Sequence, residues 1–150
     1  MKLNCFALIE NDDHYLLIRE TNPKWKSKWF LPGGETKRNE SPEQAILRET
    51  RNEASCEINV KGMFYSKYYR GLLINKLSFY YYAEAINKEI KKFPDICSQK
   101  IKWFKYEEIL ALPLRDNVID IINTYRNLKK NHSLKLNTAE NEVKVLGVFH

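Results

Sequence analysis

The sequence predicts an α+β domain whose helices pack on a largely antiparallel or mixed sheet. Three observations carry that expectation. Short apolar or alternating segments recur between residues 3 and 106, one sharply capped amphipathic segment interrupts them at 42–54, and a second closes the pattern at 116–128. The order strands, helix, strands, helix is that of a sheet covered by helices. The 150 residues suit one domain, and 43% hydrophobic with 13% aromatic residues is enough for a real core, which excludes a disordered chain.

The elements follow in order. Leu3–Ile9 is mostly apolar and reads as a strand; Asn11-Asp12-Asp13-His14 has turn chemistry, so Tyr15–Arg19 completes a hairpin. Thr21–Lys28, polar and carrying Pro23, is a loop, and Trp29-Phe30-Leu31 a short strand stopped by Pro32-Gly33-Gly34. Ser41 is a helix N-cap, with Pro42 at the first helical position and Gln44 closing an S-x-x-Q capping box. The helix runs to about Ala54, with Ile46, Leu47, Thr50 and Ala54 on one stripe. Strand-like segments follow at Cys56–Val60, Met63–Tyr69, Leu72–Asn75 running into Lys76–Ile86, and Ile101–Tyr106, with a turn at Gly71. Glu107–Ala111 suggests a helical turn broken at Pro113, and from Asp116 to about Leu128 an amphipathic helix carries Val118, Ile121, Ile122 and Tyr125 on one side. Residues 1–130 read as the single domain and 131–150 as a C-terminal extension with an added strand at Val143–Phe149.

Composition narrows the function. No apolar run approaches the ~20 residues of a membrane helix, and the N-terminus lacks a signal-peptide pattern. Cys5, Cys56 and Cys97 form neither a CxxC nor a zinc spacing, so the expectation is a reduced, cytoplasmic protein. A net charge of +6 favours anionic partners: nucleotides, phosphates or RNA.

The chemistry concentrates in residues 33–56. Glu49 and Glu53 stand one turn apart on a helix face distinct from the apolar stripe, with Asn52 at its edge. Like charges at this spacing repel unless a cation compensates, and hard oxygen donors suit Mg²⁺, which shares its shell with waters and substrate phosphates. Gly33-Gly34 removes side chains where a backbone carbonyl can approach the same ion.

The spacing Gly34-x5-Glu40-x7-Arg48-Glu49-Thr50-x-Asn52-Glu53-x-Ser55-Cys56 resembles the box of the Nudix hydrolase (MutT-like) family, G-x5-E-x7-R-E-U-x-E-E-x-G-U with U a bulky apolar residue. A chance match at the five fixed positions is roughly 1 in 10⁴ for this composition. Leu31-Pro32-Gly33-Gly34-Glu35 and the later Trp103-Phe104 with Glu107-Glu108-Ile109 are also typical of that family. Three departures stand out: Asn52 for an acid, Ser55 for the last glycine, and Thr50 and Cys56 at apolar positions.

The resemblance implies an α-β-α sandwich with a mixed sheet between helices, and a Mg²⁺-dependent hydrolase (Mn²⁺ as substitute) that cleaves a nucleoside diphosphate linked to another moiety by water attack. It implies Glu49, Glu53 and the Gly33 carbonyl as metal ligands, Asn52 as a further donor, Arg48 as the residue orienting a carboxylate, and Gly34 and Glu40 as structural positions. In some members the Glu at the position of Glu49 takes the proton from the water; in others a late-loop acid does, and Asp95 in the 87–99 segment, which also holds Glu89, is the candidate. Residues 71–74, Gly-Leu-Leu-Ile, carry neither the Pro nor the Tyr that separates the ADP-ribose and dinucleoside-polyphosphate subfamilies. Trp25, Trp29 and the tyrosines at 65, 68, 69, 80, 81 and 82 are available for base stacking, although strand alternation sends about half of the tyrosines inward. A non-catalytic nucleotide sensor and an RNA 5′-end hydrolase remain alternatives, and oligomeric state is open.

Overall fold

The computed structural model describes residues 1–19, 24, 27–54, 56–86, 100–115 and 117–135, with the backbone alone at 100 and 132–135. The chain opens on a hairpin of β1 (Lys2–Asn11) and β2 (His14–Arg19), paired Glu10 to Tyr15 and Asn11 to His14. Its two-residue turn, Asp12-Asp13, has φ of 50° and 60°. Positive φ at both central residues matches the twist of a hairpin, and Asp tolerates it better than most residues.

β3 (Trp29–Phe30) pairs antiparallel with the end of β2, and β4 (Gly33–Glu35) with the start of β1, Cys5 facing Gly34 and Phe6 facing Gly33. β3 does end before Pro32, as expected, but Gly33-Gly34 then open a new strand rather than a turn. The Ala7 amide donates to the Pro32 carbonyl at 2.9 Å, which keeps the ladder continuous.

Helix α1 (Pro42–Ala54) has the expected bounds, and its box is closed in both directions: the Gln44 amide donates to Ser41 Oγ at 3.2 Å and the Ser41 amide to Gln44 Oε1 at 2.9 Å. Such a cap is worth about 1 kcal/mol. Ala45, Ile46, Thr50 and Ala54 are buried beneath it. Beyond lies one long strand, β5 (Ile58–Tyr69), where the sequence suggests two. Register shifts at Val60/Gly62 and Met63/Tyr65 absorb the break, as bulges do. β6 (Lys76–Ala85) returns antiparallel to β5 and runs parallel to β1 from Lys2–Lys76 to Glu10–Glu84. Leu72–Asn75 forms no strand: it is the hairpin tip, with Leu72 and Leu73 fully exposed. A Cβ on Gly71 would lie 2.1 Å from the Ile74 carbonyl oxygen, so the tip closes only around glycine.

β7 (Lys100–Lys105) pairs antiparallel with β2, followed by α2 (Tyr106–Ile109) and α3 (Val118–Lys135). Among the described residues seven strands make one mixed sheet, ordered β3-β2-β1-β6-β5, with β4 beside β1 and β7 beside β2. Alternation splits the core in two. Cys5, Ala7, Ile9 and Ala83 face α1 with Ile46 and Ala54; Phe6, Leu8, Tyr15 and Tyr80 face the other way, with Ile109 of α2 and Val118, Ile121, Ile122 and Tyr125 of α3. The sheet is thus sandwiched between helices. No helix among the described residues is long and apolar enough to cross a membrane. The expected strand at Val143–Phe149, and Glu89, Asp95, Trp25 and Ser55, lie outside the described residues.

Candidate active site

Glu53 reaches from the last turn of α1 to β4, where its Oε1 accepts the Gly33 amide at 3.0 Å. Glu49, one turn earlier, lies against Gly34: a Cβ there would stand 3.3 Å from the Glu49 carboxyl carbon. The two carboxylates therefore flank the Gly-Gly backbone. That closeness depends on Gly33, whose φ is +145° and whose added Cβ would meet the Cys5 carbonyl oxygen at 2.2 Å and the Phe6 Cα at 2.7 Å. No L side chain fits either condition.

Arg48 braces the pair. Its Nε and Nη2 hold Glu40 bidentately at 2.7 and 2.9 Å, Nη2 also donates to the Glu35 carbonyl at 3.2 Å, and Nη1 donates to Glu49 Oε1. Glu40 in turn accepts the Lys37 amide at 2.9 Å. Arg48's hydrogen bonds, then the Lys37 amide, hold the Glu40 carboxyl down at about 2, and Arg48's own pKa is pushed further up, chiefly by Glu40. A planar guanidinium suits this work because it forks to two carboxylates and a carbonyl while never losing its proton.

The structure thus brings together Gly33, Gly34, Glu40, Arg48, Glu49 and Glu53. Asn52 is exposed next to Glu53. Among the described residues no group of three His, Cys, Asp or Glu side chains is set to hold a metal. Two carboxylates remain a sufficient protein contribution for Mg²⁺, which keeps waters and takes substrate phosphate oxygens for the rest. The donor chemistry therefore fits a divalent hard cation at Glu49 and Glu53. Burial pushes the Cys5 and Cys56 thiols up to about 12 and about 11, so neither is set up as a nucleophile.

Sequence reasoning missed a pocket of about 310 Å³ on the sheet face opposite α1. Phe6, Phe30 and Tyr80 line it with Arg70, Lys76 and Arg115. Phe6 stacks on Tyr80 at 5.4 Å between centroids and meets Phe30 edge-on at 4.9 Å. Pocket and carboxylates meet at Gly33, since the Cβ it lacks would stand 2.7 Å from Phe6 Cδ1. Alternation along β1 and β6 would have put Phe6 and Tyr80 on one face; nothing local marks Arg115. Trp29 is a core residue rather than a stacking platform, 7% exposed and edge-on to Phe104 at 4.8 Å. Of the tyrosines, Tyr80 and Tyr81 are buried and Tyr68 is half-exposed.

The family model described as NUDIX domain matches residues 2–125. A Caenorhabditis elegans chain named as a nudix hydrolase is 28% identical over 130 residues, covering 77% of this chain and 33% of that one. ADP-ribose pyrophosphatase of Methanocaldococcus jannaschii is 31% identical over 91 residues, covering 59% of this chain and 54% of the relative. The chain thus spans about a third to a half of the length of the curated relatives it matches. Among solved structures, the NUDIX domain of Shewanella oneidensis NrtR complexed with ADP ribose superposes with a TM-score of 0.66 at 21% identity, covering 83% of this chain and 86% of that one.

Proposed function

The chain belongs to the Nudix family, and from that premise we propose that it is a Mg²⁺-dependent hydrolase of a nucleoside diphosphate linked to a second moiety. The observation that carries the reading is the apposition of Glu53 to the Gly33 amide with Glu49 against Gly34. Glu49 and Glu53 hold the cation, with the Gly33 carbonyl and the Asn52 amide oxygen as neutral donors, and Mn²⁺ serves as substitute. When bound, the cation neutralises diphosphate oxygens that otherwise repel a nucleophile. Arg48 keeps the Glu49 carboxylate aimed, and Glu40 keeps Arg48 in place. In this reading Glu49 takes a proton from the attacking water, and Asp95 is the alternative proton acceptor. The aromatic pocket beside Gly33 takes an organic end of the substrate, flat enough for a base. ADP ribose, bound by one structural neighbour and named in one relative's activity, is a suitable first compound.

The test is a phosphate-release screen over nucleoside triphosphates, nucleotide sugars, ADP-ribose, dinucleoside polyphosphates and 5′-triphosphorylated RNA, each with Mg²⁺ and with Mn²⁺. Metal-dependent turnover of at least one free diphosphate derivative is expected. Glu53→Gln, which keeps the side chain's shape and removes its charge, should lower that turnover by more than about 100-fold, beyond what disturbing a ligand's partners costs. Binding without turnover would favour a nucleotide sensor, and turnover confined to RNA a 5′-end processor.

A further inference from the structure

The pocket carries a charge pattern that a neutral organic end does not require. Among the described residues Arg70, Lys76 and Arg115 line it, and no carboxylate does. Lys76 sits beside Lys2 in the parallel β1–β6 register, yet Lys2 pairs with Glu35 at 3.6 Å, whereas among the described residues no acid pairs with Lys76 or Arg70. Arg115 is fixed from two sides: its amide donates to the Trp29 carbonyl at 3.0 Å and its guanidinium lies 4.3 Å from the Phe30 ring centroid. A pocket lined by one sign of charge with apolar walls focuses the field and concentrates counter-ions.

The diphosphate has its place on the α1 side of Gly33, at Glu49 and Glu53. The three cations lie across the sheet, around rings that suit a base. Arg70 and Lys76 line the pocketed end, where they can take an anion carried on that end. At about 310 Å³ the pocket is at the small end of the ~300–1,000 Å³ range of small-molecule sites, room for one nucleoside-sized group. We propose that this pocket selects a nucleoside end bearing its own phosphate monoester, so that the preferred substrates are nucleoside diphosphate derivatives phosphorylated on the sugar of the pocketed end. Arg70, Lys76 and Arg115 are then specificity-determining residues. The substrate claim rests on the hydrolase reading above; the binding claim does not.

Two matched sets test them. Binding is measured calorimetrically without metal at ~0.15 M salt, where long-range attraction between exposed charges is largely screened, comparing adenosine 2′,5′-bisphosphate and 3′,5′-bisphosphate with 5′-AMP. Turnover with Mg²⁺ is compared for NADPH against NADH and for coenzyme A against dephospho-coenzyme A. At least one bisphosphate should bind about tenfold more tightly than 5′-AMP, one charge-assisted contact's worth, and the matching pair should show a similar ratio in kcat/KM. Lys76→Gln, Arg70→Gln and Arg115→Gln should bring these ratios towards one. The two exposed positions keep the test decisive should the Arg115 variant fold poorly. Equal binding of both bisphosphates and 5′-AMP overturns the pocket assignment, and so does a preference that survives all the folded variants. Bisphosphate preference with no turnover of any diphosphate overturns the hydrolase reading alone. Equal turnover within both pairs overturns the substrate claim and leaves the hydrolase reading standing.

Discussion

The two faces of the sheet are built from different side chains. Towards α1 the strands offer small side chains at Cys5, Ala7 and Ala83, set among larger ones such as Ile9, Leu16 and Tyr81, and the helix answers with Ala45 and Ala54. Towards α3 they offer rings: Phe6, Tyr15, Phe64, Tyr80 and Phe104, meeting Tyr125 and Ile121. Small residues let a helix lie close to a sheet, and here closeness lets two glutamates of α1 reach the backbone of β4. On the opposite face Phe6, Phe30 and Tyr80 wall the pocket together with Arg115 and the turn between β5 and β6, and no described residue of α3 lines it. One face thus positions carboxylates, and the other supplies bulk stability and a cavity.

Truncating the aromatic face should have the largest effect. Phe64 is fully buried, 5.7 Å from Tyr125 between centroids, so Phe64→Ala should cost about 3–5 kcal/mol in urea unfolding, with little change in turnover per folded molecule below the transition. Overfilling the other face should invert that pattern. Ala7→Leu pushes against Ile46 and Ala54 at a cost of about 1–3 kcal/mol, and by lifting α1 it should lower activity more than stability. Comparable effects of the two changes on both properties would erase the distinction between the faces.

A smaller effect lies in acid. Glu40 sits at about 2 in the folded protein against an ordinary 4.5, so it contributes stability that is complete above about pH 4.5 and is lost as pH falls towards 2. Arg48→Gln removes the main cause of that depression. The stability loss of the variant between pH 4.5 and 2 should therefore be shallower than that of the parent, measured by urea midpoints across the range. The smallest effect should come from Asn52→Glu. Asn52 is exposed and one residue from Glu53, so the added charge should strengthen Mg²⁺ binding only modestly. Thermal melts with and without Mg²⁺ should show a larger metal-induced shift in the variant than in the parent; equal shifts would put position 52 outside the metal shell.

The α1 face was largely legible in the sequence because its determinants are local. A capping box, a stripe at helical spacing and two acids one turn apart lie within 14 residues, Ser41 to Ala54, and α1 has the bounds they predict. β4 was not legible, since Gly-Gly-Glu has turn composition; pairing with Cys5 and Phe6 of β1 makes it a strand. Leu72–Ile74 misleads in the opposite direction: an apolar run reads as strand, but the Gly71 turn projects it into solvent. The pocket was hidden for a third reason. Its rings and cations come from positions as distant as Phe6 and Arg115, and only the register of β1 with β6 and the bridge from Trp29 to Leu114 assemble them.

The central claim is that Glu49 and Glu53, held beside Gly33 and Gly34, bind a divalent cation. Mn²⁺ titration followed by electron paramagnetic resonance tests it without any substrate. The parent protein should bind Mn²⁺, and the Glu49→Gln/Glu53→Gln double variant, shown by its melting curve to be folded, should leave the ion free in solution. Equal Mn²⁺ binding by parent and double variant would contradict the claim.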